Sequence, residues 1–262
     1  MQKKPRKLHG GDIYRHPDVI DFSVNTNPLG TPESVKRAVQ ESVAKIEHYP
    51  DVRCEALRKA ISRFEQVNME EILCGNGAAE LFFAAVQAVC PQKALVIAPS
   101  FSEYEEALRS VGAEVEYYYL CEEDNFQIRE DYVDKLSEEI DMIFLCNPNN
   151  PTGQIIDRDM LIKILDRCKK QNIIVILDEC FLEFLDEPNR YEMSDLREEY
   201  PNLLIVKAFT KIFSMPGLRL GYAISSNQDT LEEMSWKLQQ WNVSVPAQMA
   251  GVAALERPEE YI

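Results

Sequence analysis
Lys211 lies in the run Lys207-Ala208-Phe209-Thr210-Lys211-Ile212-Phe213, where apolar neighbours can strip water from an amine and leave it able to form a Schiff base with a carbonyl. Arg219, in Met215-Pro216-Gly217-Leu218-Arg219, offers a planar fork of donors suited to a phosphate. A lone lysine or arginine is ordinarily a solvated surface charge, so these two inform only through the residues around them. Asp178 ends the apolar run Ile173-Ile174-Val175-Ile176-Leu177, and a carboxylate delivered by a buried strand needs a cationic or hydrogen-bonding partner. A protonated pyridine nitrogen would serve; so would a helix cap or a local salt bridge.

Two polar segments add to this set. Gly75-Asn76-Gly77-Ala78-Ala79-Glu80 follows an apolar run and opens a helical pattern, so its glycines permit a tight turn that aims helix-start N–H groups at an anion. Taken alone it fits any strand-to-helix turn, and it lacks the third glycine of a dinucleotide fingerprint. Asn147-Pro148-Asn149-Asn150-Pro151-Thr152-Gly153 follows another apolar run and places amides and rigid prolines where α/β folds bind ligands, although each residue is also a turn former.

The elements that must position these groups alternate. Candidate strands are Ile72-Leu73-Cys74, Ala94 to Ala98, Val115 to Tyr119, Met142 to Cys146, Ile173 to Leu177, Leu203 to Val206 and Leu220 to Ile224. Several are apolar enough for burial on both faces. Ala78 to Val89 and Asp157 to Gln171 carry helical spacing, with Asp157 as the expected N-cap of the second. The pattern predicts an α/β fold around a mostly parallel sheet. Residues 1–48 differ: Asn25, Asn27, Pro28, Gly30 and Pro32 interrupt the pattern before a short helical stretch from Glu33 to Ile46, and they read as an N-terminal arm ahead of a main unit at 49–262.

Composition narrows the function classes. With 262 residues, 45% of them hydrophobic, the chain can bury a substantial core, which excludes a disordered or fibrous protein. A net charge of −16 argues against nucleic acid and anionic membranes as partners and leaves small molecules or protein. The basic start Met1 to Lys7 runs into His9-Gly10-Gly11 rather than an apolar segment, and no run is long enough to span a membrane, so a cytoplasmic protein is expected. Seven cysteines without a C-x-x-C pair suit reduced core thiols, and three scattered histidines leave no metal cluster in view.

In combination, Gly75-Asn76-Gly77, Asn147 to Gly153, Asp178-Glu179, Thr210-Lys211 and Gly217-Leu218-Arg219-Leu220-Gly221, in this order on alternating elements, resemble the class I/II aminotransferase superfamily of pyridoxal-phosphate enzymes, fold type I. The resemblance implies Lys211 as the Schiff-base lysine, Asp178 as partner of the pyridine N–H and Asn150 as donor to the cofactor's phenolic oxygen. It also implies that backbone amides of Gly77, Ala78 and Ala79, the Thr210 hydroxyl and the Arg219 guanidinium hold the cofactor phosphate, with Phe101 stacked on the ring. Tyr49 resembles the tyrosine that reaches the neighbouring subunit's cofactor, so a homodimer is implied. His9, Gly10 and Asn25 would touch a small phosphorylated amino-acid substrate together with Asn150, His9 near its phosphate.

His9-Gly10-Gly11, Asp21 to Gly30 and Asp178-Glu179-Cys180-Phe181 are more similar to the branch that decarboxylates O-phospho-L-threonine for cobalamin biosynthesis than to the histidinol-phosphate aminotransferases, which usually carry Tyr where Phe181 stands. Decarboxylation is thus the expected reaction. Transamination is the alternative, a non-catalytic cofactor-binding remnant the second, and a dinucleotide-binding oxidoreductase the competitor at the level of fold. Two departures stand out. Ala208 occupies a place where relatives often have a phosphate-binding hydroxyl, and the chain ends where relatives continue into a small C-terminal domain, which is expected to be missing here.

Overall fold
Each apolar run forms a strand: β1 Ile72–Gly75, β2 Lys93–Ala98, β3 Glu114–Tyr119, β4 Met142–Cys146, β5 Ile174–Asp178, β6 Leu203–Ala208 and β7 Gly221–Ile224. The structure, a computed structural model, describes residues 9–258 and 261; the basic segment Met1 to Lys7 and Glu259, Glu260 and Ile262 of the chain end lie outside the described residues. The strands make one seven-stranded sheet in the order β1-β7-β6-β5-β4-β2-β3. Pairings from β3 through β6 are parallel, while β7 is antiparallel to both β6 and β1.

Period-two alternation explains why the central strands read as unbroken apolar runs. On β4, Ile143 and Leu145 enter one core and Met142, Phe144 and Cys146 the other; on β6, Leu203 and Ile205 oppose Leu204 and Val206. Helices α3 Ala78–Val89, α4 Glu103–Ser110 and α7 Gln228–Ser235 cover one face through Leu81, Phe82, Tyr104, Leu108 and Leu231. Helices α2 Glu55–Glu65, α6 Arg158–Gln171 and α8 Val245–Glu256 cover the other through Leu57, Ile61, Leu161, Ile164 and Ala250. Each large aliphatic side chain buried this way stabilises the fold by about 1.5–3 kcal/mol. Helix α1 Glu33–Ser42 packs against α8, and a single turn, α5 Asp131–Asp134, precedes β4.

One local expectation needs correcting. Asp157 occupies the N-cap position of α6 with extended backbone, but its side chain makes no capping hydrogen bond. The cysteines are all free; Cys54, Cys74, Cys146, Cys168 and Cys180 are buried, Cys121 is half-buried and Cys90 is exposed. No helix among the described residues is long and apolar enough to cross a membrane.

Register decides where the polar segments gather. Cys146 pairs with Asp178, Asp178 with Val206, Ala208 with Gly221 and Gly221 with Gly75. Because β7 runs against β1 and β6, its start meets their ends. Consequently the segments after β1, β2, β4, β5 and β6 and the one before β7 emerge at one edge of the sheet, the edge at which parallel α/β folds bind ligands.

Candidate active site
A slot at that edge is lined by Ala78, Ala79, Phe101, Asn150, Asp178, Phe181, Ala208, Thr210, Lys211 and Arg219, together with Phe82, Cys146 and Cys180. One end is built for an anion. Helix α3 begins at Gly77 with no side-chain cap, so its first-turn amides at Ala78 and Ala79 have no partner within the helix. Gly77 adopts φ +84, and a Cβ there would lie 2.6 Å from Arg219 Nη2, so only glycine lets the guanidinium close over the turn. The Gly77 amide itself donates to the Gly75 carbonyl at 2.8 Å; the turn it makes, rather than a free N–H, is its visible contribution. Arg219 holds a left-handed backbone, φ +55, which turns its side chain back toward α3, and Thr210 is buried beside it.

The floor carries the charge chemistry. Asp178 is buried; its Oδ1 accepts from the Cys180 amide at 2.9 Å and its Oδ2 from the Tyr104 hydroxyl at 2.6 Å. Burial pushes the Asp178 carboxyl up, and the Cys180 and Tyr104 hydrogen bonds and the Lys211 ammonium pull it back. Tyr104 is held well above the usual phenol range by burial and by the neighbouring carboxylate, so it stays a donor. Its ring is clamped, stacked 4.9 Å from Phe144 and edge-on to Phe82 and Phe101. The Lys211 ammonium lies 5.2 Å from the centroid of the Phe181 ring, an apolar wall where a hydroxyl would otherwise compete for hydrogen bonds.

The asparagine segment divides its labour. Asn147 donates its backbone N–H to the Asp178 carbonyl and brackets Ile156 with its side chain. Asn149 ties Pro99, Ser100 and Thr152 together. Both are thereby spent on shape, and Asn150 is the one that faces the slot. Ala208 also lines it, presenting a methyl group.

The remaining expected site residues lie outside. Tyr49 is 77% exposed and stacked on Trp241 at 4.4 Å, away from its own chain's slot. His9 lies 6.1 Å from the Phe101 ring and pairs with Glu103 at 2.5 Å, at the mouth rather than inside. Gly10 packs against Ser23, and Asn25 is exposed and does not line the slot among the described residues. Sequence reasoning missed Tyr104.

The geometry can be set beside known proteins. The chain matches the aminotransferase class I and II family over residues 17–262. It is 38% identical over 256 residues to a threonine-phosphate decarboxylase of Salmonella typhimurium, a match covering 95% of this chain and 70% of the relative. It is 36% identical over 268 residues to a histidinol-phosphate aminotransferase of Desulfitobacterium hafniense, covering 100% and 72% of the two chains. The crystal structure of the histidinol-phosphate aminotransferase from Clostridium acetobutylicum superposes with a TM-score of 0.84 at 33% identity, covering 92% of this chain and 71% of that one.

Proposed function
This chain belongs to the aminotransferase class I and II family and is a pyridoxal-phosphate-dependent enzyme of fold type I, and from that premise we propose that it decarboxylates O-phospho-L-threonine. The slot fits the cofactor in kind: an uncapped helix start with Thr210 and Arg219 for a phosphate, flat apolar walls from Phe101 and Phe181, and a buried carboxylate beneath. Bound there, pyridoxal phosphate supplies an electron sink conjugated to the substrate's amino group.

The residues of the chain do the rest. Thr210, Arg219 and the Ala78 and Ala79 amides would hold the phosphate end, and Asn150 would donate to the phenolic oxygen. Asp178, a buried carboxylate, would be satisfied by a protonated pyridine nitrogen and would keep the proton there. Lys211, the amine that lines the slot, would hold the cofactor's aldehyde and then deliver a proton to Cα. The bond between Cα and the carboxylate breaks, carbon dioxide leaves, and (R)-1-aminopropan-2-yl phosphate, the building block of corrinoid assembly, remains. Residues 49–262 form the cofactor-binding unit in this reading and residues 1–48 an arm over it; the enzyme works in the cytoplasm as a homodimer in which Tyr49 serves the neighbouring subunit.

The observation that carries decarboxylation over transamination is Phe181 under Lys211, with no phenolic hydroxyl to hydrogen-bond the cofactor oxygen, in a chain 38% identical to a decarboxylase. The near-equal likeness to histidinol-phosphate aminotransferases favours transamination as the second reading. Cofactor-loaded protein given O-phospho-L-threonine is expected to release carbon dioxide and keep the aldehyde cofactor. Transfer of the amino group to the cofactor without carbon dioxide overturns the proposal, and the same transfer from histidinol phosphate establishes the second reading.

A further inference from the structure
We propose that Glu103 is a positioning residue that holds His9 over the mouth of the slot and so sets selectivity for an anionic group at the far end of the substrate. The inference rests on the reading that the substrate is a phosphorylated amine. Glu103 is the first residue of α4, its side chain 12% exposed, and its Oε1 lies 2.5 Å from His9 Nε2. Its platform is rigid: Ser100 donates to Asn149, Phe101 lines the slot, and Tyr104 is locked against Asp178. A side chain fixed there has a defined position relative to Lys211, whereas His9, half exposed near the chain start, has none of its own.

The segment behind His9 needs such a tether. Among the described residues, the hydrogen bonds of residues 9–24 stay within the segment (Gly11 to Ser23, Ser23 to Asp21, Arg15 to Asp12) except for the one to Glu103. The next anchor is Asn27, whose backbone N–H donates to the Lys211 carbonyl and whose side chain donates to the Ile212 carbonyl. The segment is therefore pinned at both ends beside the site, at Glu103 and at Lys211, and free of recorded hydrogen bonds to the body between them. With His9 half exposed the pair is open to water on that side, which suits a tether that must let a substrate in.

Ring chemistry then defines what His9 can receive. With Nε2–H donated to Glu103, only Nδ1 is left for a ligand, and it donates to an anion when the ring is the imidazolium. A ring held between a carboxylate and a phosphate is satisfied on both sides; a ring facing a neutral methyl or hydroxyl gains less. Glu103 thus favours a phosphorylated over an unphosphorylated amino acid without touching the ligand.

The test is calorimetric binding of O-phospho-L-threonine, histidinol phosphate and L-threonine to the cofactor-loaded full chain, with Glu103→Ala, Glu103→Gln, His9→Ala and the Glu103→Ala/His9→Ala double variant. Glu103→Ala is expected to weaken both phosphorylated ligands about tenfold and leave L-threonine unchanged. Glu103→Gln, which keeps an acceptor, should recover part of the loss, and Glu103→Ala should add nothing once His9 is gone. Hydrogen exchange of residues 9–24 should rise in Glu103→Ala. Equal weakening of L-threonine, a full additional loss in the double variant, or unaltered exchange each overturns the inference. Binding of histidinol phosphate alone, with the same dependence on Glu103, would sink the phosphothreonine reading and leave this one standing; binding of neither phosphorylated amine by the unsubstituted protein overturns both.

Discussion
Asp178, at the end of β5, and Lys211, in the turn after the neighbouring β6, face one slot, and each depends on what lies beside it. If Lys211 holds the cofactor aldehyde, replacing it by Ala should abolish the lysine-dependent visible band of the loaded protein and lower turnover by about 10²–10⁴-fold. A band unaltered in Lys211→Ala would move the assignment elsewhere. Tyr104→Phe keeps the ring stack on Phe144 but deletes the 2.6 Å hydrogen bond to Asp178. Because that bond lowers a carboxyl already raised by burial, its loss raises the Asp178 pKa further. The carboxylate is then lost at a higher pH on acidification, and the acid limb of the pH–rate profile should move upward; a limb that stays put or moves down refutes the assignment. That Lys211, Asp178, Asn150 and Arg219 line one slot was legible through the resemblance of their combined segments to a known family, since each residue taken alone had an ordinary structural reading. Tyr104 was not read, because its partner is Asp178, far away in the chain, and an aromatic at helical spacing looks like core.

At the scale of elements, the start of α3 and the end of β6 carry the chemistry. Gly77→Ala puts a Cβ against Arg219, which must move off the turn, and forces a side chain into positive φ at a cost of about 1–3 kcal/mol, so affinity for pyridoxal phosphate should fall about tenfold or more and the melting temperature should drop by several degrees. Affinity equal to that of the unsubstituted protein would show that the turn does not form the anion cradle. Apart from the slot, β6 carries a buried clasp. Lys207 on β6 bonds Glu65 at the end of α2 and Glu192, each at 2.8 Å, with Glu179 and Glu183 within 4 Å, and Tyr222 donates to Glu65. Burial pushes Glu65 up to about 7 and Glu179 up to about 8, from an ordinary 4.5. The folded state thus binds protons that the unfolded chain has released, and the contribution of these two groups is full below about pH 4.5, shrinks as pH rises and is flat above about 8. Glu65→Gln should flatten the decline in stability between pH 5 and 8 measured by denaturant unfolding, and a decline as steep as before would remove Glu65 from its cause. None of this clasp was foreseen, since Glu65, Glu192 and Lys207 are ordinary charges in their local sequence and meet only when α2, β6 and the loop after β5 converge.

The whole molecule presents exposed Val52, Trp236 and Trp241 around a cavity of about 640 Å³, with Tyr49 stacked on Trp241. If Tyr49 serves the neighbouring subunit, mixing inactive Lys211→Ala chains with Tyr49→Ala chains should restore roughly a quarter of normal turnover, since each mixed dimer regains one complete site. No gain on mixing, with subunit exchange confirmed, would confine Tyr49 to its own chain. The sequence by itself determined the α/β class, all seven strands and the ligand-bearing segments, because apolar period, glycine freedom and strand-end polarity are local properties read within a few residues. Only the tertiary structure decided that β7 reverses against β1 and β6, so that Arg219 returns to the start of α3. It alone brought Tyr104 to Asp178, Lys207 to four carboxylates and His9 to Glu103, because contacts between distant residues follow from strand order and register, which no local pattern encodes.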